Sequence, residues 1–104
     1  MVMTSPTVHV VRLRAEARPD IPGRLLSFYA AQGLVPESID TRRVSDDELV
    51  LDVTLAGIDF CRARHLAASS GRLEGARSAR LFEGVRRESA ADHRGVLELS
   101  ELCV

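Results

Sequence analysis

Six segments with clear hydrophobic periodicity follow one another in this chain, and their order constrains the fold more than any other feature. The alternation of apolar and polar side chains that is typical of strands occurs at residues 8–16, 38–44, 48–56 and 76–82. The spacing of apolar side chains that is typical of an amphipathic helix occurs at residues 22–32 and 60–69. The predicted order is therefore strand, helix, strand, strand, helix, strand.

This order is that of the ferredoxin-like βαββαβ fold in the α+β class, a four-stranded antiparallel sheet with two helices on one face. In this topology the first and third strands are central, and the second and fourth strands lie at the edges. Leu51 and Val53 of the third strand are predicted to face the helices, while Asp52 and Thr54 face away. The predicted edge strands carry arginines, and charges there protect an edge against unwanted pairing.

The length of 104 residues suits one domain, predicted at residues 1–84, with a C-terminal extension at residues 85–104. Gly84 is predicted to end the fourth strand. Residues 96–102 alternate like a further strand, which would need either an edge of this sheet or a neighbouring chain as its partner. A tail without regular structure is the alternative.

The residues where the first strand gives way to the first helix are suited to bind an anion. Asp20 is predicted to cap the helix with its carboxylate, and Pro22 fits the first helical turn. Gly23 leaves the neighbouring backbone N–H groups uncovered by any side chain. Free N–H groups and the helix dipole both favour a negative ligand, such as the carboxylate of a free amino acid. The alternative is a simple turn and helix start with no ligand.

This junction also resembles a known regulatory module. The run at residues 20–25, Asp-Ile-Pro-Gly-Arg-Leu, resembles the signature of the ACT domain, which senses amino acids, and the likeness covers about residues 8–83. Residues 37–39, Glu-Ser-Ile, resemble the start of the second strand in the small regulatory subunits of acetolactate synthase. In that family an Asn precedes this strand and helps hold the ligand, whereas here residues 35–36 are Val-Pro and the chain has no Asn.

The resemblance implies a non-catalytic regulator that binds an amino acid near the interface of a homodimer with paired edge strands, and that acts on a biosynthetic enzyme. The residues it implies for ligand binding are Asp20, Ile21, Pro22, Gly23, Arg24, Leu25, Ser38 and Ile39. The backbone N–H groups of Ile21 and Gly23 would bind the ligand carboxylate. An apolar pocket would be lined by Ile21, Leu25 and Ile39. The alternative is a dimerisation or docking module without a ligand that pairs with a metabolic enzyme.

Composition and motifs argue against several other classes of protein. The net charge of −1 gives no reason to expect binding to nucleic acid or to an anionic membrane surface. No apolar run is long enough to span a bilayer. The N-terminus lacks the basic region and the apolar run that a signal peptide has in succession. The two cysteines, Cys61 and Cys103, are far apart and favour a reducing cytoplasm. We expect no catalytic residue, no cofactor and no metal.

Three further groups of residues are interpreted as structural rather than functional. Cys61 and His65 are four residues apart on a predicted helix, but two ligands are too few for a metal site. The pairs at residues 42–43 and 86–87 are arginines that could bind phosphate or carboxylate, and we interpret them as solvated charges. The acidic run at residues 46–48 is interpreted as a solvated turn.

Overall fold

The computed structural model describes residues 7–88 and 95–102. Its elements in chain order are β1 (Thr7–Glu16), α1 (Ile21–Ala31), β2 (Ser38–Ser45), β3 (Glu48–Leu55), α2 (Phe60–Ser70), β4 (Ala76–Glu88) and β5 (Gly95–Leu102). The strands form one antiparallel sheet in the order β2-β3-β1-β4-β5. The predicted βαββαβ arrangement is confirmed, and a fifth strand extends it.

The main core lies between the two helices and one face of the sheet. Val11 and Leu13 of β1 and Leu51 and Val53 of β3 are at most 1% exposed, as the alternation predicted. The helices contribute Ile21, Leu25, Tyr29, Ala63, Leu66 and Ala67 to this core. Phe60, the first residue of α2, stays outside this core and is 40% exposed.

The opposite face of the sheet holds a smaller buried patch. Val10 and Thr54 are paired in register and are only 2% and 6% exposed. Arg12 donates two hydrogen bonds to Asp52, at 2.8 and 2.9 Å, and its guanidinium lies 4.9 Å from the centroid of the Phe82 ring. Thr54 therefore faces away from the main core, as predicted, but it is buried there.

The fourth strand is longer than predicted because a further strand pairs with it. β4 continues through Gly84, which pairs with Val8 on one side and Leu99 on the other. The prediction that Gly84 ends the strand was wrong, and so was the prediction that β4 is an edge. Within the described residues the two edges are β2 and β5. The boundary at residues 84 and 85 falls inside β4, so the C-terminal extension continues the same sheet.

At the junction between β3 and α2, Asp59 caps the start of the helix. Asp59 has extended backbone angles, and its carboxylate accepts a hydrogen bond from the backbone N–H of Arg62 at 2.7 Å. This bond satisfies one of the donors that a helix start leaves free. Gly57, with a φ of 72°, turns the chain out of β3 before the cap.

Candidate functional site

The junction between β1 and α1, residues 17–20, is the centre of the candidate site, and its aspartate does not cap the helix. Asp20 precedes α1 with helical backbone angles, and its side chain makes no hydrogen bond to the helix start. Its carboxylate instead accepts hydrogen bonds from Arg18, at 2.8 and 3.1 Å, and from Arg24, at 2.6 Å. The prediction of an Asp20 cap was wrong, because two guanidinium groups compete with the backbone for the carboxylate.

This ion-pair cluster sets the charge of the junction. The hydrogen bond from Arg24, followed by that from Arg18, holds the pKa of Asp20 below its ordinary value. Glu74 lies 3.7 Å from Arg18 and 3.7 Å from Arg24, and Glu16 lies 3.6 Å from Arg18. Two arginines thus face three carboxylates, so neither guanidinium is left without a negative partner.

The backbone donors at the start of α1 are partly engaged. The Ile21 N–H donates to the carbonyl of Arg18 at 3.2 Å, so it is not free for a ligand as the resemblance implied. The Gly23 N–H has no partner in the loop before the helix, within the described part of the chain. Open space surrounds the position that a Gly23 side chain would take. The helix start therefore offers one open donor rather than two.

Ile21 and Leu25, which the resemblance places in an apolar pocket, point into the protein core instead. They are 3% and 0% exposed. Gly75, with a φ of 89°, packs against Ile21 so closely that a Cβ there would lie 2.6 Å from the Ile21 Cδ1 atom. The Gly75 carbonyl also accepts a hydrogen bond from the Glu16 N–H at 2.8 Å. These residues support the junction from beneath, and sequence reasoning missed Gly75.

Two surface depressions flank the junction. The β2-side pocket, of about 330 Å³, is lined by Ala17, Arg18, Pro19, Pro22, Thr41, Arg43 and Leu49. The helix-side groove, of about 680 Å³, is lined by Asp20, Gly23, Arg24, Ser27, Phe28 and Leu73. The predicted loop residues are therefore divided between two faces of α1, with Pro22 on one side and Gly23 and Arg24 on the other.

Ser38 and Ile39, which were predicted to complete the site, lie at the far end of the sheet from the junction. Ser38 pairs with Thr54, which pairs in turn with Val10, whereas the junction follows Glu16. Six residues of strand correspond to about 20 Å. Within one chain the structure does not bring Ser38 and Ile39 to the junction.

The β2 residues that do reach the junction are Thr41 and Arg43, and sequence reasoning did not select them. Arg43 pairs with Leu49, which packs against the main core, so Arg43 lies on the helix-bearing face of the sheet. Arg42 pairs with Val50 and lies on the opposite face. The signal was present in the alternation of β2, because Arg43 shares the parity of Ile39.

The acidic turn between β2 and β3 is held by hydrogen bonds and arginines. Asp47 accepts a hydrogen bond from the Ser45 hydroxyl at 2.8 Å, and this bond lowers the pKa of Asp47. Arg14 donates to Glu48 at 2.9 Å and lowers the pKa of that carboxyl in the same way. Arg77 lies 3.5 Å from Asp47 and 3.3 Å from Glu48. Two of the three carboxylates of the turn, those of Asp47 and Glu48, thus have arginine partners that tie the turn to the sheet.

A third, shallow depression lies on α2, where Cys61 and His65 share one exposed face with Arg64 and Ala68. Within residues 7–88 and 95–102, no three His, Cys, Asp or Glu side chains are grouped as a metal site would require. In the same part of the chain, neither helix has the length and apolar character of a membrane span.

Comparisons with known proteins agree with the fold and add a family. A family model described as an ACT-like domain matches residues 4–71, which extend from β1 to the end of α2. The solution structure of the C-terminal domain of the MgtC protein from Mycobacterium tuberculosis is similar, with a TM-score of 0.62 and 13% identity. That likeness covers 82% of this chain and 95% of the other, and at this identity it concerns the fold alone. No curated protein sequence matches the chain significantly.

Proposed function

Because the chain belongs to the ACT-like domain family, we propose that it is a non-catalytic regulator that binds a free amino acid beside the β1–α1 junction. An ACT-like domain is a regulatory module that binds small molecules. In this function the amino acid lies near the interface between two copies of the chain, and the dimer acts on a biosynthetic enzyme in the cytoplasm.

The β2-side pocket is the observation that carries this proposal. It joins the junction to the open edge strand, and its volume of about 330 Å³ is at the small end of the range for ligand pockets. Pro19, Pro22 and Leu49 supply apolar walls, while Thr41 and Arg43 supply polar groups. A small zwitterion with an apolar side chain matches this combination, because specific sites set a few polar groups within apolar walls.

Pairing of two β2 edges would bring Ser38 and Ile39 of a second copy to the site. An antiparallel pair centred on Thr41 sets Ile39 of the partner subunit opposite Arg43, and Ser38 of the partner subunit opposite Val44. Residues directly opposite one another share a face of the sheet, so Ile39 of the second copy lies beside the β2-side pocket. The ligand site is then made by the junction of one copy and the start of β2 from the other.

Exposed apolar side chains on the same side of the molecule support this dimer. Leu26 is 54% exposed and lies one helical turn after Pro22, so it faces the β2 side of α1. Val35, in the connection from α1 to β2, is 94% exposed. The open edge of β2 supplies unpaired backbone groups, and a second copy satisfies them.

A charge swap tests the dimer. The pairing centred on Thr41 sets Asp40 of each copy opposite Arg42 of the other, and both side chains are exposed in the single chain. Asp40→Arg therefore places like charges opposite one another and should shift the protein from dimer towards monomer at micromolar concentration. The double variant Asp40→Arg with Arg42→Asp restores opposite charges and should restore the dimer. Light scattering that finds only monomer for the wild type would rule the interface out.

Thermal denaturation with each of the twenty amino acids tests ligand binding. A specific ligand at a hundredfold excess over its Kd adds about 2.7 kcal/mol to the stability, which raises the Tm measurably. Pro19→Trp, which fills the β2-side pocket, should abolish this increase. Ser27→Trp, which fills the helix-side groove, is the matched control and should retain it. No increase with any amino acid would contradict the proposed function, and loss only in Ser27→Trp would move the site to the other groove.

A further inference from the structure

Arg43 differs from the other arginine at the β2-side pocket in the partners of its guanidinium. Its Nε donates to the carbonyl of Ser45 at 3.2 Å, and its Nη2 donates to the carbonyl of Asp46 at 2.9 Å. Both partners are neutral backbone groups. Within the described part of the chain, Arg43 forms no ion pair, whereas Arg18 is held by Asp20.

The two backbone hydrogen bonds orient Arg43 without using all of its donors. A guanidinium has five N–H donors in a planar fork, so three remain after these bonds. These bonds hold the fork over the turn between β2 and β3. Because the side chain is already oriented, it loses less conformational entropy when a ligand binds than a mobile arginine would. Arg43 is thus an oriented positive charge at the pocket, without an ion pair among the described residues.

The junction itself is less suited to an anion than the helix start suggested. The Ile21 N–H is engaged, and the cluster around Asp20 sets two arginines against three carboxylates. An added carboxylate there would meet a negative excess. On the β2 side of the junction, Arg43 forms no ion pair with the described residues, so no carboxylate of the protein competes with a ligand for its guanidinium.

We propose that Arg43 binds the carboxylate of the ligand, and that the site is therefore selective for small monocarboxylates with an apolar body. This inference rests on the proposed function and names the ligand class for the same site. The carboxylate accepts hydrogen bonds from the free donors of the Arg43 guanidinium. The apolar body packs against Pro19, Pro22 and Leu49. A second negative charge would meet only Arg18, which Asp20 already holds.

Isothermal titration of the full chain tests the proposal with L-valine and L-valinamide, which differ in the carboxylate alone, and with L-glutamate, which adds a second carboxylate. We expect the wild type to bind L-valine at least tenfold more tightly than either analogue. Arg43→Gln should weaken L-valine binding about tenfold or more, and Arg43→Lys should weaken it less because the charge remains. Arg64→Gln is the control, since Arg64 is exposed on α2 away from the pocket.

The outcomes separate this inference from the proposed function. If the wild type binds L-valine and Arg43→Gln binds it as well as Arg64→Gln does, Arg43 is not the carboxylate ligand, although the regulatory site stands. Equal binding of L-valinamide also overturns the inference, and this comparison uses the wild type alone. If only amino acids with polar or charged side chains stabilise the wild type, the ligand class is wrong. If no amino acid binds, the proposed function fails, and the inference fails with it. Light scattering and the Tm of each variant show whether the dimer and the fold are intact.

Discussion

The two junctions at which a strand leads into a helix differ in what their aspartate binds. At the β3–α2 junction, Asp59 accepts a hydrogen bond from the backbone of its own helix. At the β1–α1 junction, Asp20 binds Arg18 and Arg24 and leaves the helix start without a side-chain cap. The same residue type, in equivalent places of the two halves of the fold, therefore closes one helix and leaves the other open. The open junction is the one that borders the β2-side pocket.

The largest expected effect tests whether the two helices are held equally well despite this difference. Leu25 of α1 and Leu66 of α2 are both 0% exposed. Leu25→Ala and Leu66→Ala should each lower the free energy of unfolding by about 2–5 kcal/mol, measured by urea denaturation. If Leu25→Ala left the free energy of unfolding unchanged while Leu66→Ala lowered it strongly, α1 would be loosely packed. The two junctions would then not be comparable.

Two glycines with positive φ sharpen the comparison. Gly75→Ala, beneath the β1–α1 junction, strains the backbone and crowds Ile21, so we expect a loss of about 2–4 kcal/mol. Gly57→Ala, at the β3–α2 junction, meets no atom within 4 Å and should cost only the backbone strain, about 1–2 kcal/mol. Thermal denaturation of both variants measures the difference. Equal losses would show that the packing of Gly75 on Ile21 contributes nothing.

The cap at the second junction has a smaller expected effect. Asp59→Ala removes the acceptor for the Arg62 N–H, and a lost cap of this kind costs about 1 kcal/mol. Asp59→Asn, which keeps a capping oxygen, should cost less than Asp59→Ala. Urea denaturation of the two variants provides the measurement, and an identical loss in both would argue that the cap bond is not formed.

Replacing Asp20 is expected to have the smallest effect on stability, and this effect can be recognised because it depends on pH. The pKa of Asp20 is lowered in the folded protein, so its ion pairs stabilise the fold at pH values above the ordinary pKa of an aspartate. This stabilisation is lost as the pH falls through the folded-state pKa. Asp20→Asn should therefore be slightly less stable than the wild type at neutral pH and equally stable in acid. The difference should also shrink in high salt. A difference that persists in acid would show that the ion pairs do not cause it.

The hydrophobic alternation of the sequence was enough to predict the central sheet and its packing. Leu51 and Val53 could be assigned to the core because a strand with one buried face repeats every two residues. Gly84 misled the prediction of β4, because a glycine inside a strand has the same local signature as one that ends it. Its place became clear only through the long-range pairing of β4 with β5.

The candidate site was harder to predict because it depends on competition and on topology. Asp20 and Asp59 look alike in sequence, and only the guanidinium groups of Arg18 and Arg24 decide that one does not cap. The four-residue spacing of Asp20 and Arg24 was a usable signal for that competition. Ser38 could be placed only from the sheet, because β1 and β2 run in the same direction on either side of β3.

The central claim is that the β1–α1 junction, and not the β3–α2 junction, binds an amino acid. Titration of the ¹⁵N-labelled chain with the amino acid that raises its Tm most, followed by backbone chemical-shift changes, tests this claim most directly. We predict changes concentrated at residues 17–24 and 41–43 and at Leu49, with residues 56–62 unaffected. Changes centred on residues 56–62, or no changes with any of the twenty amino acids, would contradict it.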